Sequence, residues 1–274
     1  MVMVNLFQSG GINAYVHLPE CWQELQPAEI IEFARLQLQY ANDQNAAKAA
    51  LLLFLIKYRA KQQNVHLPKL WQLGINRQDF TINGIPLLNF LYNEIEMPTN
   101  PLPVITVGSI FKTKLYGPEA NFTNITCGEF EDAEQQYFQF VQEPNPTALA
   151  QLMAILWRPK NTPYHSYNKN TYLKAIQRLK PEILFTVYLF YTASRNCLPA
   201  LFPTIYEGDG SKADAPDNMA FTKCIHAAAG PKNGTREQIR KMLLLELMYD
   251  MELEAINAKK LQQEYEQHQR SIIH

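Results

Sequence analysis

Residues 126–142 read TCGEFEDAEQQYFQFVQ, and the way this stretch is read decides the fold class. Thr126 followed three positions later by Glu129 is a capping box, in which a hydroxyl and a carboxylate satisfy backbone donors at a helix start. Phe130, Ala133, Tyr137, Phe138 and Val141 then recur at helical spacing and make one apolar face. Glu129, Glu131, Asp132 and Glu134 crowd the first turns. They complement the partial positive charge of a helix N-terminus, an effect of about 0.3–1 kcal/mol each. A set of catalytic carboxylates is the competing reading. Next, Asn145 and Pro146 open a second helix, in which Leu149, Leu152, Met153 and Leu156 face inward and which Pro159 stops.

The helical pattern continues toward the C-terminus. A third helix is expected over 168–178, and Pro181 starts a fourth, PEILFTVYLFYTASRNCL, apolar enough to be the central helix of this half. YEGDGSKADAPDN, 206–218, reads as a polar loop, with a helix from Asp217 or Asn218 to Ala229. Thr235 and Gln238 repeat the capping-box pattern and open a last helix, with Ile239, Met242, Leu243, Leu247, Met248 and Met251 packed densely enough to be core. After Ile256 the same helix turns polar. Only Leu261 and Tyr265, four apart, mark a narrow stripe, as on a helix that projects, frays or meets a partner.

Toward the N-terminus the pattern is more broken. INAYVHLP, 12–19, alternates like a short strand. Pro27 suits a first helical position, with Ile30, Ile31, Ala34 and Leu38 at helical spacing, and Asn42 or Asp43 can cap a helix running to about Gln63. Residues 64–110 are punctuated by prolines and glycines. FTINGIPLLNFLYNEI suggests a strand edge, a turn and a short helix, and LPVITV, 102–107, is strand-like. The expected architecture is therefore mainly α: a multi-helix bundle with a minor irregular or β element in the N-terminal region. Two parts are expected, residues 1–103 and 104–274, the second ending in a long helix. No internal repeat of fixed period is visible.

Composition narrows the function classes. Across 274 residues the net charge is −1, without the basic excess of a protein that tracks phosphates. Cys21, Cys127, Cys197 and Cys224 are widely spaced, which argues against a zinc ribbon or a disulfide framework. The start lacks the features of a signal peptide and no apolar run is long enough to span a bilayer, so a cytoplasmic location without membrane attachment is expected. The N-x-T sequons at Asn121, Asn124 and Asn233 are then chance matches.

Several constellations have simpler readings. His17 and Cys21 would face one metal only on a helix, which Pro19 interrupts. Cys224 and His226 would point to different sides of a helix. Asp209, Asp214 and Asp217 lack the spacing and closing glutamate of a calcium loop. Arg158, Lys160, His165 and Lys169 interleave with Trp157, Tyr164 and Tyr167 like a small nucleic-acid patch, but in a chain that is not basic a helix end with aromatic loop packing is the better account. No nucleotide, nucleophile-elbow or zinc-protease motif occurs. No enzyme, cofactor or metal is expected. Phe138, Trp157, Arg158, Tyr164, Leu261 and Tyr265 are the candidate contacts for a protein partner.

Three phrases carry a resemblance: LPECWQEL before a helix, KLYGPEANFTNITCGEFEDAEQQYFQF, and LAQLMAILWRP, followed by a late glycine turn and a long terminal helix. Over residues 15–260 the chain resembles tail-assembly chaperones of phages and prophages of Bacteroidota hosts, departing at Trp157, where Tyr is common, and at Ala133-Glu134 in place of Ala-Asp. The resemblance implies a non-enzymatic cytoplasmic factor that coats a helical tape-measure protein until the tail tube forms. It assigns no binding residue and leaves self-association open. The alternatives are a structural tail or connector subunit of the virion, and a DNA-transaction or hydrolytic enzyme using the acids at 129–134.

Overall fold

The computed structural model describes residues 2–5, 15–63, 84–108, 112–165, 170–207, 220–230 and 234–273. It is mainly helical, with short antiparallel hairpins. By internal packing the chain divides into one unit of residues 1–102 and 179–193 and another of residues 103–178 and 194–274.

In the first unit, strands β1 (Val2–Asn5) and β2 (Tyr15–Leu18) pair antiparallel, Val4 opposite Val16. A 3-10 turn, Trp22–Glu24, leads to helices α1 (Pro27–Gln39) and α2 (Gln44–Gln62), which pack on each other. Proline occupies the first position of α1, where its missing N–H removes no bond. The Asp43 carboxylate caps α2 by accepting the Ala46 N–H at 2.9 Å. The core is aromatic around buried Trp22, whose ring meets Phe33 edge-on at 5.5 Å and Phe90 at 6.4 Å. Phe90 belongs to a 3-10 helix, Ile85–Tyr92. Residues 64–83, with the strand edge expected there, lie outside the described residues.

One ion pair ties this unit together. Glu29, fully buried, accepts the Gln26 N–H at the start of α1 at 2.8 Å and takes both Nε and Nη2 of Arg59, at 2.6 and 2.8 Å. The other donations of Arg59 reach the backbone carbonyls of His17 and Glu24, at 3.2 and 2.8 Å. A single guanidinium near the end of α2 thus fixes the start of α1, the strand before it and the turn between them.

The second unit begins with the hairpin β3 (Val104–Val107) and β4 (Thr113–Tyr116), then a 3-10 turn, Ala120–Phe122. Helices α3 (Cys127–Gln142) and α4 (Pro146–Leu156) are packed together, and α5 (Leu173–Ile176) packs on α4. The third expected helix is therefore shorter than 168–178, and positions 168–169 are outside the described residues. Helix α6 (Pro181–Asn196) forms as expected, but residues 179–193 group with the first unit, whereas the sequence reading made it the centre of the second. Its apolar faces, with Leu184, Val187, Leu189, Phe190 and Tyr191 all buried, require burial without saying against what.

Two short helices, α7 (Leu198–Leu201) and α8 (Pro203–Tyr206), precede α9 (Ala220–Ala228), α10 (Arg236–Lys241) and α11 (Leu244–Ile273). Asp209, Asp214 and Asp217 are outside the described residues. The last helix was expected to run unbroken from the Thr235 capping box. Instead Met242 is extended, at φ −66° and ψ 153°, and separates α10 from α11. The reason is a backbone exchange: Cys127 N–H donates to Met242 O and Leu244 N–H to Ile125 O, each at 2.9 Å. The break satisfies an orphan donor at the start of α3 that an unbroken helix would leave unmet.

Glu29→Gln leaves the Arg59 charge buried without its counter-ion. The expected loss is about 3–5 kcal/mol of stability by urea unfolding. A loss below about 1 kcal/mol, the range of an exposed pair, would contradict this assignment.

Candidate functional site

Helix α3 is buried on nearly every side at its start, from Cys127 to Ala133 and on through Glu134. The capping box forms as read from the sequence. Glu129 accepts the Thr126 N–H at 2.8 Å, and the Thr126 hydroxyl accepts the Glu129 N–H at 3.3 Å. Gly128 is required here because the main chain of α10 passes close: a Cβ at this position would stand 3.0 Å from the Arg240 carbonyl oxygen.

The acids do not lie on a solvated face. Glu129, Glu131, Asp132 and Glu134 expose only 1, 2, 7 and 6 % of their surfaces. Each is matched by arginine brought from elsewhere in the same unit. Arg158, two residues beyond α4, bonds to Glu129 and also donates to the carbonyls of Ile155 and Thr162. Arg236 reaches Glu131 at 2.9 Å, and Arg240 bonds to Glu131 and lies 3.3 Å from Asp132. Arg195 Nε spans both oxygens of Glu134 at 2.9 and 3.1 Å. The Tyr164 hydroxyl donates to Asp132. Four carboxylates thus face four guanidinium groups, an arrangement that balances charge where water is scarce. Burial draws Arg240 below the usual guanidinium range.

The sequence reading of these acids, as a complement to the helix dipole, leaves out their burial and their arginine partners. The dipole effect acts on buried as well as exposed carboxylates; these four are in addition enclosed and ion-paired. The partners that the sequence reading missed are Arg195, Arg236 and Arg240. Arg236 and Arg240 are four apart on α10, a spacing that puts two cations on one helix face and was the available signal.

The sequence-picked residues separate into two groups. Phe138 is buried with the Arg195 guanidinium 5.2 Å from its ring centroid, and Trp157 is 1 % exposed. Arg158 is committed to Glu129 and Tyr164 to Asp132. Trp157, Arg158, Tyr164 and Tyr172 line a shallow depression of about 200 Å³. These aromatics and the arginine therefore frame the ion-pair cluster, and Arg158 is not a free cation for a phosphate. Lys169 and Tyr167 lie outside the described residues. The second group is Leu261 and Tyr265, 67 and 63 % exposed on α11.

A further carboxylate organises α11. Glu252 accepts the N–H groups of Thr204 and Ile205 at the start of α8, both at 2.9 Å. Burial pushes its carboxyl upward, but these hydrogen bonds outweigh that and hold it below its ordinary range. Lys259 bonds to Glu207 one stage further along. Every residue from Asn257 to Ser271, Lys259 included, is exposed.

Among the described residues, no group of His, Cys, Asp and Glu side chains is arranged to hold a metal ion, and no helix is long and apolar enough to cross a membrane. His17 lies in β2, with its backbone carbonyl accepting from Arg59, and His226 is exposed on α9. No protein-family model, curated protein or solved structure matches this chain.

Beside the cluster, Cys127 packs with Ile225, Ile239 and Leu247 and is 0 % exposed, and burial pushes its thiol up to about 12. A thiol so placed is almost wholly protonated at neutral pH and shielded from reagents. Iodoacetamide at neutral pH is expected to label half-buried Cys21 and Cys197 in the native protein and to spare Cys127, as read by peptide mass spectrometry. Labelling of Cys127 as fast as Cys21 would contradict the burial.

Proposed function

We propose that this chain is a non-enzymatic assembly factor that binds another polypeptide through the free end of α11, as expected of a phage tail-assembly chaperone holding a tape-measure-like helical protein in the host cytoplasm. The observation that carries the binding element is the exposure of Leu261 and Tyr265 on a helix that continues as far as Ile273. An exposed run from Asn257 to Ser271 of an α-helix is about 22 Å long. Leu261 lies nine residues beyond Glu252, about 180° around the helix from the face that caps α8. Leu261 and Tyr265 are one turn apart, the spacing at which two side chains form a joint anchor for a partner helix.

The acid cluster supports the non-enzymatic reading from the other side. A general acid or base needs a carboxylate that can reach substrate. In α3 each carboxylate is instead spent on an arginine of the same unit. The tape-measure assignment itself rests on the sequence resemblance carried by the stretches around α1, α3 and α4.

Co-expression with a phage tape-measure protein tests both parts. The unsubstituted chain is expected to co-purify with that partner and raise its solubility. The pair L261E and Y265E is expected to abolish co-purification while changing stability by no more than about 0.5 kcal/mol per site, as usual for exposed positions. Retention of the partner by the double variant would remove the site, and no complex with the unsubstituted chain would remove the function. A stoichiometric presence in purified particles would assign the chain to the virion structure instead.

A further inference from the structure

The two ion-pair hubs, one in each unit, sit in the same structural setting. We infer that the chain carries one β-hairpin–helix–helix module twice, each copy locked by a capping-box glutamate that holds an arginine in the last turn of its second helix or just beyond it. The first copy runs from β1 through α2 and the second from β3 through α4. In each, an antiparallel hairpin is followed by a Pro-Glu pair, Pro19-Glu20 and Pro118-Glu119, and then by a 3-10 turn.

The correspondence extends to single bonds. The Glu20 N–H is held by the Glu24 carboxylate at 3.0 Å, and the Glu119 N–H by the Asn124 side-chain oxygen at 2.9 Å. Glu24 and Asn124 each stand two residues before the helix cap, Gln26 and Thr126. Buried Trp22 and Phe122 stand four residues before it, and buried Leu25 and Ile125 immediately before it. Ile30 and Phe130, also buried, complete the positions of a hydrophobic staple. Glu29 and Glu129 occupy the third helical position, and each accepts the backbone N–H of its cap at 2.8 Å. The second helices are capped alike, Asp43 accepting from Ala46 at 2.9 Å and Asn145 from Ala148 at 2.8 Å.

The lock closes each copy. Arg59 lies 30 residues beyond Glu29, and Arg158 lies 29 beyond Glu129. Each sits in an aromatic-Arg-x-Lys sequence, Tyr58-Arg59-Ala60-Lys61 and Trp157-Arg158-Pro159-Lys160. Each spends its remaining donors on two backbone carbonyls, His17 and Glu24 in one copy, Ile155 and Thr162 in the other. The first helix has 13 residues in one copy and 16 in the other, and the second has 19 against 11, so the spacing of matched positions, 100 residues at the start of the first helix, drifts over the rest of the module.

The copies differ where their duties differ. Positions 31 and 34 of α1 are Ile and Ala, and the matching positions 131 and 134 of α3 are both Glu. Those two acids receive Arg236, Arg240 and Arg195 from the elements that follow the second copy. The shared lock belongs to the module, and the additional acids are attachment points for the C-terminal elements.

A mutational scan of the full-length chain, read as soluble abundance, tests the inference. Matched positions should show matched intolerance: Glu29 with Glu129, Arg59 with Arg158, Trp22 with Phe122, and Leu25 with Ile125, with abundance reduced about tenfold or more by a polar or small residue, as the loss of a core or buried-pair residue implies. Glu29→Gln and Glu129→Gln, and Arg59→Lys and Arg158→Lys, should fall together. Positions 31 and 34 should accept apolar residues, whereas 131 and 134 should not. Tolerance of Glu29→Gln or Arg59→Lys beside intolerance of Glu129→Gln or Arg158→Lys would overturn the equivalence. Tolerance of leucine at 131 and 134 would overturn the attachment role.

Discussion

Four carboxylates on the first two turns of α3 are shut away from water, and a buried carboxylate without a counter-charge is not tolerated. This constraint organises the second unit. It draws Arg158 from beyond α4, Arg195 from the end of α6, and Arg236 and Arg240 from α10, so that segments distant in sequence converge on one helix. The backbone exchange between Ile125–Cys127 and Met242–Leu244 fastens the same place. Such pairs need not raise stability above that of a well-packed apolar alternative, because desolvation offsets much of the attraction. Their effect is selective: any arrangement that separates an acid from its arginine is strongly disfavoured.

What the sequence made legible was local chemistry. The capping boxes at Thr126 and Thr235, the asparagine cap at Asn145 and the prolines opening α1, α4 and α6 each mark a helix start through an interaction spanning a few residues. Such signals survive because they do not depend on the rest of the chain. The burial of the α3 acids is not legible in the sequence because it depends on partners 29, 61 and 105 residues away. A run of like charges at a helix start looks the same whether water or arginine faces it. The break at Met242 was equally hidden, since an apolar helical pattern carries no mark of a backbone hydrogen bond made to another segment.

The candidate partner-binding residues divide for the same reason. Phe138 and Trp157 are large apolar groups with apolar neighbours, and in the fold they are core. Leu261 and Tyr265 are an isolated pair on a polar stretch of helix, and they are exposed. A large apolar residue among other apolar residues finds an internal partner, whereas one among glutamines, lysines and glutamates has none within reach. That difference in neighbours, more than residue type, separates Phe138 and Trp157 from Leu261 and Tyr265.

The central claim, that the acids of α3 are tolerated only through their arginines, is tested most directly by a double-mutant cycle at Glu134 and Arg195, where one Nε meets both carboxylate oxygens. Unfolding free energies would be measured for R195L, E134L and the double variant. The account predicts that R195L is costly alone, that E134L in the same chain restores much of the loss, and that the coupling energy is about 1–3 kcal/mol. Additive effects, with R195L equally costly whether or not Glu134 is present, would contradict it.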